Sequence, residues 1–168
     1  MIVLSKICII ICYPCKIELF RKMTKGVLEM AVEVYLIFKG NCREAVSFYE
    51  KVFNTNKPEI MTFGDSPQNP NYPLPEEAKD LVMHTRLSIF GSTVMFSDTF
   101  PGSPFTTGNN VTLAVVSDDE AQMRKAFDGL KDGGEVKMEL QETFWSKCYG
   151  SLTDKFGIEW QFSYEENN

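Results

Sequence analysis

Histidine is almost missing from this chain: His84 is the only one in 168 residues. A metal centre built on two or more imidazoles therefore cannot be assembled from a single copy. Basic charge is also short, with 17 Lys and Arg against 23 Asp and Glu, a net charge of -6. No stripe of cations is available to neutralise phosphates, which argues against a nucleic-acid partner and against an anionic membrane surface. Long apolar runs are lacking too. Ile7 to Cys12 is the apolar part of the N-terminal segment, far short of the roughly 20 residues a membrane-spanning helix needs. Cysteine is sparse and odd in number, at five. With no convincing export signal, these read as free thiols in a reducing cytoplasm.

What is present fits one domain or two small fused modules, since 43% apolar and 12% aromatic residues are enough for a sizeable core. The N-terminus is unusual. Cys8, Cys12 and Cys15 have the C-x3-C-x2-C spacing of radical enzymes that hold an iron-sulfur cluster, but those build on a barrel of about 250 residues. This chain is too short and has no strand-helix repeat of that kind. A signal peptide fails as well, because Tyr13-Pro14-Cys15-Lys16 breaks the apolar stretch and no small-x-small cleavage site follows. Lys25-Gly26-Val27 can be encoded by a purine-rich ribosome-binding sequence with Met30 at a bacterial initiation spacing. The expectation is that residues 1–29 are translated upstream DNA, non-native to a bacterial protein that starts at Met30.

From Met30 the patterning is regular. Val32, Val34, Leu36 and Phe38 alternate with Glu33, Tyr35, Ile37 and Lys39, which predicts a strand with one apolar face. Asn41 is placed to cap a helix over Cys42 to Phe53, with Ala45, Val46, Tyr49, Val52 and Phe53 as its apolar stripe. A short strand is expected over Pro58 to Phe63, then an exposed loop over 64–79 containing Pro67, Pro70, Pro73 and Pro75. Leu81 to Phe90 predicts a strand with His84, Arg86 and Ser88 facing away from the helix. Gly91-Ser92 turns it into another over Thr93 to Ser97.

Beyond a Gly/Pro/Ser/Asn linker at 99–110 the order repeats. Val111 to Val116 reads as a strand, Asp118 or Asp119 caps a helix to about Leu130, and Glu135 to Leu140 is a strand. Cys148 to Thr153 and a last strand around Trp160 follow, joined by the turn Asp154 to Gly157. The fold class is α+β: two paired βαβββ modules, at 30–98 and 111–168, with concave sheets enclosing a pocket. Small-molecule binding is the default function of such a pocket.

The phrases YLIFKGNCREAVSFYEKVF, KDLVMHTRLSIFGSTVMFSD and LQETFWSKCYGSLTDKFGIEW resemble the PhnB-like branch of the vicinal oxygen chelate superfamily, which includes glyoxalase I, bleomycin-resistance proteins and extradiol dioxygenases. The resemblance covers nearly all of Val32 to Glu165. It implies the glyoxalase/bleomycin resistance/dioxygenase fold and a homodimer. Members often carry a 3-demethylubiquinone methyltransferase label, yet no glycine-rich loop between a strand and a helix is present to hold S-adenosylmethionine. The superfamily's divalent metal is held by His and Glu on four strands. Those slots fall on Tyr35, near Phe96, on Thr112 and on Gln161, with Met95 and Glu159 as slipped alternatives. This set is a poor one for a metal, and no bound metal or other cofactor is expected.

Seven residues are the candidates for ligand binding. His84 and Arg86, two apart on one strand face, suit an anionic or carbonyl-bearing ligand, or else are structural, with Arg86 paired to a carboxylate such as Glu142. Glu142, beside Phe144 and Trp145, is either an acid-base group or fixes its loop through backbone hydrogen bonds. Tyr35, Thr112 and Gln161 offer hydrogen bonds to a ligand, and Trp145 is the aromatic wall. Cys42 and Cys148 read as buried and inert, and Trp160 as packed under a helix. The function expected is a small-molecule binder working without metal. The alternative is a metal-dependent lyase, isomerase or dioxygenase of the glyoxalase type.

Overall fold

The computed structural model describes residues 32–67, 70–71 and 73–166. The reading of residues 1–29 lies outside them. Strand β1 (Val34–Phe38) leads into helix α1 (Cys42–Val52), then β2 (Met61–Thr62), β3 (Val82–Ile89) and β4 (Ser92–Asp98). The order recurs as β5 (Thr112–Ser117), α2 (Glu120–Leu130), β6 (Glu135–Gln141), β7 (Tyr149–Thr153) and β8 (Glu159–Tyr164). Each half forms a four-stranded sheet, β1-β4-β3-β2 in sheet one and β5-β8-β7-β6 in sheet two. The first strand of each unit pairs in parallel with the last, and the other pairings are antiparallel. This is the expected α+β layout of two βαβββ units.

Alternation decides which face of each sheet is covered. Leu87, Ile89, Val94 and Phe96 of sheet one and Leu152, Trp160 and Phe162 of sheet two all point into a core shared with Tyr49 of α1 and Met123 and Phe127 of α2. Burying such side chains contributes about 1.5–3 kcal/mol each, which is what holds the helices on the sheets. Gly150 makes close approach possible: a Cβ there would lie 2.9 Å from Leu140 Cδ2 and 3.1 Å from the Phe127 ring. Helix α1 also reaches across to sheet two, where Phe53 and Trp160 have ring centroids 5.3 Å apart. As expected, Trp160 is buried.

Asp154 ties that crossing. Its carboxylate accepts the Tyr49 hydroxyl at 2.6 Å, the Trp160 indole N–H at 2.8 Å, and the Phe156 and Ile158 backbone N–H groups at 2.9 and 3.0 Å. The turn at 154–157 therefore does more than aim β8. It anchors α1 to sheet two.

Local structure departs from the sequence reading in four places. Asn41 occupies the N-cap position of α1 but makes no side-chain cap bond. Asp98, remote in sequence, accepts from the Cys42 N–H at 3.0 Å and from the Val82 N–H at 2.9 Å, so it caps the helix and fastens β3 at once. The strand expected over 58–63 shrinks to Met61–Thr62, because Thr62 and Asp65 form a reciprocal capping box that turns the chain into a 3-10 helix. The loop at 64–79 is not wholly exposed, since Ala78 is buried in a second 3-10 turn. The β3–β4 turn is centred on Phe90 and Gly91, with φ of 46° and 83°, rather than on Gly91 and Ser92. Positive φ at both positions matches the twist of the flanking strands. Among the described residues no helix is long and apolar enough to cross a membrane.

Candidate functional site

The sheet faces turned away from the helices carry five of the seven candidate side chains in an order that strand register fixes, and Trp145 packs against one of these faces from the β6–β7 loop. In sheet one Tyr35 pairs with Met95 and Met95 with Arg86, so these three form one row. Ile37 and Ser97 form the next row, with His84 on the same face of β3 and Met61 beside it on β2. The Tyr35 hydroxyl reaches diagonally across β4 to His84 Nδ1 at 3.4 Å, with ring centroids 6.1 Å apart. This contact engages Nδ1 and leaves Nε2 without a hydrogen-bond partner among the described residues. Of the two positions considered for the superfamily's second slot, Met95 lies on this open face and Phe96 is fully buried on the helix side.

His84, Arg86 and Ser88 floor a groove of about 890 Å³ whose wall is residues 54–61. The wall is held by Thr85, whose hydroxyl donates to the Glu59 carbonyl at 2.8 Å. Asp65 stands at the rim, and the Thr62 N–H beside it holds its carboxyl below the usual carboxylate range. That carboxylate is engaged with the Thr62 N–H and hydroxyl at 2.8 and 2.7 Å. Arg86 is exposed and forms no ion pair among the described residues. The Arg86–Glu142 pairing considered from sequence is not made within the chain.

Sheet two presents a second polar face. Thr112, Glu159 and Thr153 form one row, Ala114, Gln161 and Ser151 the next, and Val116, Ser163 and Tyr149 the third. Thr112 donates to Glu159 Oε2 at 3.4 Å and Lys137 Nζ lies 2.6 Å from Glu159 Oε1. The Tyr149 hydroxyl donates to Gln161 Oε1 at 3.0 Å, a diagonal contact like that of Tyr35 on sheet one. Trp145 packs edge-on against Tyr149 at 5.4 Å and carries Phe144 at 4.4 Å. A further cleft of about 830 Å³ runs between β1 and the β5–β8 edge, with Tyr35 and Ile37 on one side and Val111, Leu113 and Glu159 on the other.

The structure thus brings Tyr35 to His84, with Arg86 alongside, and Gln161 to Trp145 through Tyr149. Thr112 sits with Glu159. Glu142 is exposed and does not fix its loop. Thr143 and Ser146 do that work: Thr143 N–H donates to the Ser146 carbonyl at 2.9 Å, and the Ser146 hydroxyl bonds the Cys148 and Tyr164 carbonyls at 3.0 Å each. Alternation in YGSLT and EWQFSY places Tyr149, Ser151 and Ser163 on this face, so Tyr149, which reads from sequence as a core aromatic, is half-buried on the open side instead. Lys137 falls on the exposed side of β6 by the same alternation, between the half-buried Val136 and Met138.

The four metal slots, Tyr35, Met95, Thr112 and Glu159 or Gln161, supply at most one carboxylate, already paired with Lys137. Among the described residues no three His, Cys, Asp or Glu side chains converge in a way that could hold a metal ion. This donor set does not fit the superfamily's His/Glu site. The buried thiols lie off both open faces. Burial pushes Cys42 up to about 12, with the Asp98 carboxylate adding to it, and burial also raises Cys148.

Comparison with known proteins agrees with the fold. The family model described as 3-demethylubiquinone-9 3-methyltransferase matches residues 30–163. Protein YjdN of Escherichia coli K12 is 31% identical over 140 residues, covering 80% of this chain and 95% of that protein. The crystal structure of PA1353 from Pseudomonas aeruginosa is 35% identical with a TM-score of 0.71, covering 83% of this chain and all of that one. A Bacillus cereus structure described as a putative 3-demethylubiquinone-9 3-methyltransferase, PhnB protein, is 26% identical with a TM-score of 0.61, covering 81% of this chain and 100% of that one.

Proposed function

This chain belongs to the PhnB-like family described as 3-demethylubiquinone-9 3-methyltransferase, with the glyoxalase/bleomycin resistance fold, and on that premise we propose that it binds a small anionic or carbonyl-bearing molecule. The observation that carries this reading is the groove over β3, where Arg86 and His84 meet open space with no carboxylate engaged to Arg86 among the described residues. A guanidinium offers a planar fork to a carboxylate or phosphonate, and His84 Nε2 adds a directional group two residues away. Ser88 and Thr93 add hydroxyls at the same groove.

Binding proceeds without metal in this reading, since the superfamily slots hold a phenol, a thioether, a hydroxyl and a carboxylate or an amide. Methyl transfer is not the activity we assign. The β1–α1 connection, residues 39–41, contains one glycine, and the β5–α2 connection, Asp118 and Asp119, contains none. Neither forms a phosphate- or nucleotide-cradling loop. The working form is a cytoplasmic homodimer. Tyr35, Ile37 and Met61 of sheet one and Val116 and Trp145 of sheet two are each about half exposed, and a second copy covering these faces would enclose the ligand.

Isothermal titration of small carboxylates and phosphonates tests the reading. At least one is expected to bind saturably without added metal, and Arg86→Met to weaken it by tenfold or more, about 1.5–3 kcal/mol for a lost charged hydrogen bond. Binding that survives Arg86→Met unchanged would place the ligand elsewhere.

A further inference from the structure

The groove beside Arg86 meets more of β3 than one face of the strand. Thr85 and Leu87, both buried, line it together with the exposed Arg86 and Ser88. Consecutive residues of a strand alternate between its two faces, so a groove that touches all of Thr85 to Ser88 runs along the edge of β3. That edge is bare. β3 pairs with β4 as far as Ile89, whereas its pairing with β2 stops at His84. The chain that would continue the β2 ladder, residues 54–60, stands off instead: Pro58 has no N–H to give, and the Glu59 carbonyl is taken by the Thr85 hydroxyl at 2.8 Å. Among the described residues no backbone hydrogen bond joins residues 54–60 to β3. Alternate residues within 86–89 therefore turn an N–H and a C=O into the groove without a ladder partner.

We propose that the ligand of this groove is a small carboxylate that carries a secondary amide, such as an N-acylated amino acid or dipeptide, and that it lies along β3 as an added strand with its carboxylate on Arg86. The proposal rests on the reading that the groove takes an anion, and specifies what the anion is attached to. An extended amide offers one donor and one acceptor at the spacing of a strand edge, so it satisfies the backbone groups that β2 leaves unpaired. Arg86 is exposed and forms no ion pair among the described residues, which leaves its planar fork to the terminal carboxylate. Because Arg86 stands at the β2 end of the bare stretch, the bound molecule runs antiparallel to β3. Residues 86–89 span about 10 Å at roughly 3.3 Å per residue, which suits a short ligand rather than a long peptide.

Four probes titrated calorimetrically into the full-length chain test this: butyrate, N-acetyl-alanyl-alanine, the same acetyl dipeptide with both amides N-methylated, and its C-terminal carboxamide. The acetyl dipeptide is expected to bind about tenfold or more tighter than butyrate, the effect of one or two directed hydrogen bonds. N-methylation should return it to the butyrate level. The carboxamide, and Arg86→Met with the acid, should each bind about tenfold or more weakly. Amide hydrogen exchange supplies a second readout, since the acetyl dipeptide, unlike butyrate, should slow exchange within residues 86–89. An octapeptide ending in the same two alanines should bind no tighter than the acetyl dipeptide. Equal affinity for butyrate and the acetyl dipeptide would overturn this inference and leave the anion reading standing, whereas binding of neither would remove both. The inference is also overturned if the methylated compound or the carboxamide binds like the parent acid, if exchange at 86–89 is unchanged at saturation, or if the octapeptide binds more tightly.

Discussion

Asp154 is 3% exposed and accepts four hydrogen bonds, from two side chains and two backbone groups. Removing it would strand two buried side-chain donors, Tyr49 and Trp160, and two part-buried backbone N–H groups, each costly to leave unmade. Asp154→Ala is therefore expected to lower unfolding stability by about 3–5 kcal/mol in urea titration, among the largest effects of any single change. Asp154→Asn, which retains one acceptor oxygen, should lose less. Alkaline pH probes a second set of buried groups. Burial raises Cys42 from its ordinary value of 9.0 to about 12, and burial with the Asp154 carboxylate raises the Tyr49 hydroxyl from 10.0 to well above its usual range. The folded state thus holds these protons after the unfolded chain releases them. Their stabilising contribution is full below pH 9 and is lost as pH rises from 9 toward 12. Urea midpoints should fall over that window, and Cys42→Ala should flatten part of the decline. The same shift predicts that Cys42 resists thiol reagents in the native protein at pH 7, as read by labelling before and after denaturation.

Helix α1 shows how tertiary context replaces a local signal. Asn41 has the right residue type at the right position, and the helix starts where the sequence says it should, yet its cap comes from Asp98. Asn41→Ala should then change stability by about 0.5 kcal/mol or less. Asp98→Ala, which unpairs the Cys42 and Val82 N–H groups together, should cost about 2–3 kcal/mol. Both are measurable by thermal or urea unfolding. Alternation and helical spacing were enough to place the strands, the helices and their buried faces, because one covered and one open face leave a plain period in the residues. The same period puts Tyr35, His84 and Arg86 on an open face. Less could be read where long-range contacts decide. The placing of Met95 on the open side follows from the β1–β4 register, and the Thr143–Ser146 lock from a loop turning on its own hydroxyls.

At the scale of the whole molecule, two half-covered sheets share one core and leave two polar, partly apolar faces open. Exposed Ile37, Met61, Val116 and Trp145 are unusual on faces meant for water alone. If a second copy covers them, light scattering should give a dimer mass, and Ile37→Lys should shift it to monomer while leaving the circular dichroism spectrum intact. A monomer for the wild type would remove the enclosing partner from the account. The central claim, that the Tyr35–His84–Arg86 face holds the ligand, has an unusually direct reporter because His84 is the only histidine in the chain. Imidazole NMR signals of the full-length protein can be followed during titration with a carboxylate or phosphonate that binds by calorimetry. The account predicts that the single set of His84 signals moves saturably with the same midpoint as the heat, and that Arg86→Met abolishes both. Heat of binding with an unmoved His84 would contradict it.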